Sequence, residues 1–383
     1  MVRKTKVLFF HRTLRLSGAV RQMLQLFYGL DRSRFDPFYV VEGDRRVFDH
    51  RIYREARVYQ LKQTRDEGYW GLVRNLVRVI DREKPDLVQS FNVGANRMLY
   101  LACAGRRHPP LYSSIRNVRL PLSARLSEFL FQGMCRAITV NSEGIRRHLI
   151  RDCGIRAERI RLVPNGLDVD HFSPPDDLER EELRQSLGFE ADEFVILSVG
   201  RVAPQKNLLC TLEAVDRLCQ RTGRRIRFVC VGRKGRDDYA AEVSRFVEER
   251  GLADRCAFPG MLDDVADHYR AADAMVLASG WEGLPNVLIE NMACGGISIV
   301  SEASDNDEIV THDENGFVFR TGDAAHLAGQ IERVMALGAG DLRLVAERAR
   351  KTVEQRFSTE RMIRSYEDLW LGRNGRVELA PDL

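Results

Sequence analysis

Short apolar runs recur along the chain, with stretches of helical spacing between them. Val7–Phe10, Phe38–Val41, Asp86–Gln89, Ala137–Val140, Phe194–Val199, Ile226–Val231, Ala274–Ala278 and Ile297–Val300 lack strict alternation. That pattern predicts parallel strands covered on both faces. Ala19–Leu30, Trp70–Glu83, Leu208–Arg221, Tyr239–Arg250 and Ala325–Leu337 carry apolar residues three and four apart, which predicts amphipathic helices. The alternation of the two argues for an α/β fold with right-handed crossovers. It restarts near residue 190. Before the restart lies Val163-Pro-Asn-Gly-Leu-Asp-Val-Asp-His-Phe-Ser-Pro-Pro-Asp-Asp177, a turn-rich stretch with three prolines and Asn165-Gly166. Two doubly wound, Rossmann-like domains are expected to meet there, with a cleft between them and ligands at the carboxyl ends of the strands.

Length and charge sharpen this division. A chain of 383 residues suits two domains. Residues 1–170 hold 32 Lys/Arg against 17 Asp/Glu, while the rest of the chain is acidic. A basic first half favours anionic partners such as phosphates, anionic lipid or nucleic acid. No zinc-finger or RNA-recognition pattern accompanies the charge, so nucleic acid is not expected. The eight cysteines form no CxxC pair and lie in apolar stretches, as reduced core thiols would. The first apolar run is too short for a signal-peptide core, and no stretch approaches 18 apolar residues. The expectation is a cytoplasmic protein whose membrane contact, if it has one, is peripheral.

Several chemistries find no motif. No GxGxxG follows a strand, and GxxxxGK[ST], HExxH and GxSxG do not occur. Asp168-Val-Asp170 and Asp305-Asn-Asp307 have the spacing of a metal–diphosphate clamp. Both are short enough to arise by chance, and the first sits in a turn where Asp is expected anyway, so no metal is expected.

Two segments carry candidate chemistry. Val199-Gly-Arg-Val-Ala-Pro-Gln-Lys-Asn207 follows the first strand of the second half. Gly200 permits a tight turn, and Arg201 and Lys206 place cations beside the helix that Leu208 opens, which makes a diphosphate site. Ser279-Gly-Trp-Glu-Gly-Leu-Pro-Asn-Val-Leu-Ile-Glu290 leaves the strand at Ala274–Ala278. Asn286–Met292 reads as a helix whose first amides suit phosphate oxygens. Glu282 lies in the loop and Glu290 about one turn into the helix, placed to accept from two ribose hydroxyls. Carboxylates beside a phosphate site repel the ligand unless they meet hydroxyls, so the pair suggests a sugar nucleotide. The bland alternative is a loop and a helix with solvated charges.

The Glu282/Glu290 spacing inside Glu-Gly-x-Pro-Asn-x-x-x-Glu resembles the signature of retaining glycosyltransferases of family 4, which have the GT-B fold of two facing Rossmann-like domains. Val163–Asp168, Phe172-Ser-Pro174, Val199–Asn207, Phe228–Gly232, Phe258-Pro-Gly260 and Tyr269–Asp273 agree in the family's order. The resemblance implies an acceptor-side domain at 1–170, completed by a C-terminal helix within 357–383, and a nucleotide-sugar domain at 171–356. It implies that Glu282, Arg201 and Lys206 are catalytic. Gly18, Gly200, Gly232, Gly283, Leu284, Pro285, Asn286, Val287 and Glu290 would join them in holding the donor. It implies transfer of a hexose or N-acetylhexosamine, with retention and without a metal, from a nucleotide diphosphate sugar. UDP is the favoured nucleotide, and the acceptor would be a cell-surface or lipid-linked glycan of polysaccharide or lipopolysaccharide biosynthesis. The alternatives are a non-catalytic nucleotide-sugar-binding partner of another transferase, or a phosphorylase or epimerase of the same fold.

The first half departs from the family pattern. Arg15-Leu-Ser-Gly-Ala-Val20 has one glycine where a pair is common, and the acceptor-side histidine is missing. Arg116, Asn117 and His11 are the acceptor-side candidates, His11 also reading as a strand-end packing group. Leu120–Met134 has apolar residues at helical spacing beside Arg106, Arg107, Arg116, Arg119 and Arg125. It either packs on its own sheet or lies on an anionic membrane.

Overall fold

A computed structural model describes residues 3–14, 17–42, 52–61, 68–117, 120–235, 237–303 and 306–373. Arg15, Arg119, Asp305 and the last ten residues of the 357–383 segment lie outside the described residues. The chain forms two compact units. Unit 1 is Met1–Gly166 with Thr359–Leu383, and unit 2 is Leu167–Ser358. The crossing from Gly166 to Leu167 falls inside the turn-rich stretch, four residues before the 170/171 division expected from sequence.

Unit 1 holds a parallel sheet of β1 (Thr5–His11), β2 (Phe35–Glu42), β3 (Val58–Leu61), β4 (Leu87–Ser90), β5 (Leu111–Ile115), β6 (Cys135–Val140) and β7 (Ile160–Leu162). Their order is β3-β2-β1-β4-β5-β6-β7. Unit 2 holds β8 (Phe194–Val199), β9 (Ile226–Val231), β10 (Cys256–Gly260), β11 (Ala274–Leu277), β12 (Ser298–Ser301) and β13 (Phe317–Phe319). Their order is β10-β9-β8-β11-β12-β13. Both sheets reverse direction beside their first strand, the doubly wound arrangement whose switch point gathers ligands.

The apolar runs are unbroken because each strand is buried on both faces. In β8, Ile196 joins one core layer while Val195 and Leu197 join the other. The helix Gly18–Gly29 buries Val20, Met23, Leu24 and Phe27, the three-and-four spacing of a single face, and Ser17 caps its start by accepting from the Val20 N–H. Pro259 lies on β10, an edge strand where a missing N–H costs least.

The helix Thr359–Trp370 completes unit 1. It buries Met362, Tyr366 and Trp370 in the cluster that contains Phe9, Phe27, Tyr39 and Phe91. The Trp370 ring meets Phe9 edge-on at 5.9 Å, and its Nε1 donates to Gln89 at 3.3 Å. Among the described residues, no helix is long and apolar enough to cross a membrane. All eight cysteines are free, and burial pushes the thiols of Cys103, Cys230, Cys256 and Cys294 up to about 12, which suits packing rather than reaction.

Candidate functional site

Two pairs of the sequence candidates of unit 2 meet at its switch point, Gly200 with Gly232 and Lys206 with Glu282. The loop after β8 and the loop after β11 leave neighbouring strands at their carboxyl ends. Gly200 has φ 147° and Gly232, at the end of β9, has φ 151°. A Cβ on Gly232 would collide with the Gly200 carbonyl, so Gly232 lets two strand-end backbones meet. After Gly200 the chain makes a short 3₁₀ turn at Pro204–Lys206, and the helix Leu208–Thr222 begins. Arg201 is exposed.

Lys206 Nζ donates to Glu282 Oε1 at 2.6 Å, joining the two loops by an ion pair that is largely shielded from solvent. Ser279 Oγ donates to the same oxygen at 2.6 Å. Gln205 Nε2 donates to the Trp281 carbonyl at 2.9 Å and approaches Glu282 Oε2 at 3.4 Å. The Gly280 N–H returns a bond to the Gln205 carbonyl at 2.8 Å. Gln205 therefore fastens the diphosphate-type loop to the glutamate loop. Behind them, Ser301 Oγ donates to the Ser279 carbonyl at 2.7 Å, and Asn306 Nδ2 to the Ser301 carbonyl at 3.1 Å.

The helix Asn286–Ala293 starts after Pro285 with no side-chain cap on its N-terminal turn, and the Leu288 N–H turns back to the Pro285 carbonyl at 3.1 Å. Gly283, Leu284, Asn286 and Val287 are half-buried, and Pro285 is buried. Glu290 is buried, and its Oε2 accepts from the Tyr269 hydroxyl at 2.8 Å. Gln205, Tyr269 and Ser279 stand inside the sequence motifs, but the motifs alone assign them no part. Their positions inside those motifs were the available signal. Their partners depend on which loops the sheet order brings together.

The candidates of unit 1 separate. Gly18 is exposed and opens its helix. Asn117 is exposed beyond β5. Arg116 donates to Asn165 Oδ1, to the Tyr366 hydroxyl at 3.1 Å and to Ser114 Oγ at 3.3 Å, with its guanidinium 5.3 Å from the Phe91 ring centre. These bonds tie β5 to the last helix, so Arg116 acts as an internal clamp of unit 1, whereas the sequence reading offered it to an acceptor. His11 is buried at the end of β1. Its Nε2 accepts from Asn92 Nδ2 at 2.7 Å, and its Nδ1 meets the Thr13 carbonyl. Burial lowers its pKa to about 4, so the ring is neutral at pH 7 with both nitrogens engaged, as a packing group.

Asp168 Oδ1 accepts from the N–H groups of Asp170 and His171 at 3.2 and 3.1 Å, the geometry of a capped turn. Among the described residues, no three His, Cys, Asp or Glu side chains converge as metal ligands would.

Two family models match the chain. Residues 179–352 match "Glycosyl transferases group 1" and residues 16–171 match "Glycosyltransferase Family 4". The chain is 33% identical over 159 residues to mannosylfructose-phosphate synthase of Agrobacterium fabrum, covering 40% of this chain and 35% of the synthase. It thus spans about a third of that relative's length. It is 23% identical over 372 residues to the UDP-Gal:alpha-D-GlcNAc-diphosphoundecaprenol alpha-1,3-galactosyltransferase of Escherichia coli, covering 93% of this chain and 94% of that one. Anabaena Alr3699/HepE in complex with UDP superposes with a TM-score of 0.86 at 21% identity, over 96% of this chain and 100% of that one. A second structure of HepE, with UDP-glucose, superposes with a TM-score of 0.82 at 23% identity, over 95% and 99%.

Proposed function

The chain belongs to the group 1, family 4 glycosyltransferases and has the GT-B fold, and from that premise we propose that it transfers a hexose or N-acetylhexosamine from a UDP-linked donor, with retention, to a hydroxyl of a cell-surface or lipid-linked glycan. The observation that carries this reading is the Lys206–Glu282 pair at the unit 2 switch point, beside the uncapped helix that holds Glu290. The donor diphosphate lies against Arg201, Lys206 and the first amides of the Asn286 helix, whose positive charge stabilises the leaving nucleotide. Lys206 moves from Glu282 to phosphate oxygens. Glu282 then accepts from hydroxyls of the transferred sugar and faces positive charge developing at its anomeric carbon. Glu290 accepts from the ribose hydroxyls, its carboxylate oriented by Tyr269. Charge neutralisation rests with the two cations, so this reading includes no metal. The UDP and UDP-glucose bound by HepE support the choice of UDP, and the diphosphoundecaprenol substrate of the E. coli relative supports a lipid-linked acceptor.

Thermal unfolding with UDP, GDP, ADP, TDP and CMP tests the donor reading, beside a Glu290→Ala variant. A ligand at a hundred times its Kd adds about 2.7 kcal/mol to the native state. UDP is expected to raise Tm by several degrees, and the variant to lose most of that shift. No shift with any nucleotide at millimolar concentration overturns the reading.

A further inference from the structure

The switch point of unit 1 carries side chains that the donor reading does not use. In its sheet β1 stands between β2 and β4, and the carboxyl ends of such strands are where a doubly wound sheet takes ligands. Arg12 follows β1 directly. Its Nε and Nη2 donate to the Glu42 carboxylate at the end of β2, at 2.5 and 3.1 Å. That pair leaves Nη1 over. A Cβ on Gly94, in the first turn of the helix Val93–Cys103, would lie 3.1 Å from Arg12 Cδ and 3.5 Å from Nη1. Gly94 thus keeps open the ground that Arg12 crosses between β2 and the helix after β4.

Trp70 stands on the same edge of the sheet. It is the third residue of the helix Gly68–Glu83, which follows β3 and therefore begins at the carboxyl ends of the strands. Helical side chains lean toward the helix N-terminus, so Trp70 leans toward that edge. The helix packs through Leu72, Val73, Leu76 and Ile80, and Trp70 takes no part in that face. It is 63% exposed, whereas Trp370 is buried and Trp281 half-buried. Tyr69, packed against the core, meets the indole edge-on at 6.3 Å and backs it. The Tyr69 phenol also lies within electrostatic reach of the Arg12 guanidinium, which ties the start of this helix to the end of β1.

An exposed indole, a guanidinium and a carboxylate on one sheet edge are complementary to a sugar ring. The C–H groups on one face of a pyranose are apolar and weakly positive, which suits the negative face of an indole. Its hydroxyls can donate to a carboxylate and accept from a guanidinium. A purely apolar partner would desolvate Arg12 and Glu42 with nothing in return, and a phosphate would meet Glu42 as a like charge. We propose that this edge holds a pyranose unit of the acceptor glycan, with Trp70 as its stacking platform and Arg12 and Glu42 as its hydroxyl partners. Trp70 then determines that the acceptor must present a sugar ring here. The proposal rests on the glycan-acceptor part of the reading above and not on the choice of donor.

The test is fluorine NMR of the full chain carrying fluorotryptophan. The chain has three tryptophans, so Trp70→Phe identifies the Trp70 resonance. The probes are the methyl glycosides of glucose, galactose, mannose, rhamnose and N-acetylglucosamine, with glycerol as a polyol that has no ring. At least one glycoside is expected to shift the Trp70 resonance saturably, and glycerol to leave it in place. Arg12→Gln is expected to weaken that glycoside at least tenfold. A Trp70 resonance that no glycoside moves overturns the proposal, as does one that glycerol moves equally. A dimer that Trp70→Ala dissolves, seen by sedimentation without a glycoside response, overturns it in favour of a second copy. UDP in parallel samples separates the two readings. A rise in Tm with UDP beside an unmoved Trp70 resonance overturns this proposal alone, and a glycoside shift without any UDP response upholds it while the donor reading fails.

Discussion

Glu282 and Glu290 are both buried acids, and each is held by a residue that the sequence left without a role. Ser279 and Gln205 fix the Glu282 carboxylate against Lys206, and Tyr269 fixes Glu290. A hydrogen bond to a charged group contributes about 1.5–3 kcal/mol. Ser279→Ala is therefore expected to lower kcat about tenfold or more, while the nucleotide-induced rise in Tm persists, because Glu290 and the cations are untouched. Equal loss of both would mean that Ser279 shapes the whole loop. Glu128 is a different kind of acid. Burial raises its pKa to about 7 from 4.5, against the bonds from Asn96 and Tyr100. The folded chain then keeps a proton that the unfolded chain has released, and its stability declines between pH 4.5 and about 7. Glu128→Gln is expected to match the parent near pH 4 and to exceed it in Tm at pH 8. Parallel Tm–pH curves for the two proteins would refute this.

At the scale of elements, what the sequence displayed depended on burial and length. Phe194–Val199 and Ile226–Val231 were legible to the residue, because a strand enclosed on both faces must be apolar throughout. β3, β7 and β13 were not legible, having three or four residues at sheet edges. β5 escaped for another reason. It is central, but Ser113 and Ser114 interrupt its apolar run, and their carbonyls accept from Thr139 and Asn96. The glutamate loop was legible because its Gly, Pro and two Glu stand close together in the chain. The Arg116 clamp was not, since it spans 250 residues to Tyr366. The helix Leu122–Phe131 showed its apolar spacing but not which side faces inward, because the buried Glu128 finds its partners only in the fold. The last helix stabilises unit 1 through its aromatic face. Trp370→Ala leaves a hole against Phe9, Phe35 and Tyr366 and is expected to cost about 3–5 kcal/mol in urea unfolding. A cost below about 1 kcal/mol would show that the helix contributes little.

At the scale of the molecule, the two units differ in charge and in the chemistry they carry. Unit 1 is strongly basic, and unit 2 holds 23 Lys/Arg against 35 Asp/Glu. Arg201, Lys206, Glu282 and Glu290, the groups proposed to grip the donor, lie in unit 2, so a bound nucleotide stabilises that unit directly. Calorimetry with and without UDP is expected to move the unfolding of unit 2 upward more than that of unit 1, with Trp370→Ala identifying which transition belongs to unit 1. Equal shifts would mean that the units unfold as one. The two units also differ in how the chain supplies them. Unit 2 is a single continuous segment, whereas unit 1 takes its last helix from beyond Ser358. During synthesis the ribosome must therefore finish all of unit 2 before unit 1 receives Met362, Tyr366 and Trp370. At about 5–20 residues per second, the face formed by Phe9, Phe27 and Phe91 waits on the order of 10–40 s for its cover. The nascent chain passes through an interval in which its second domain is complete and its first is still open, and that is when a chaperone has the most to hold.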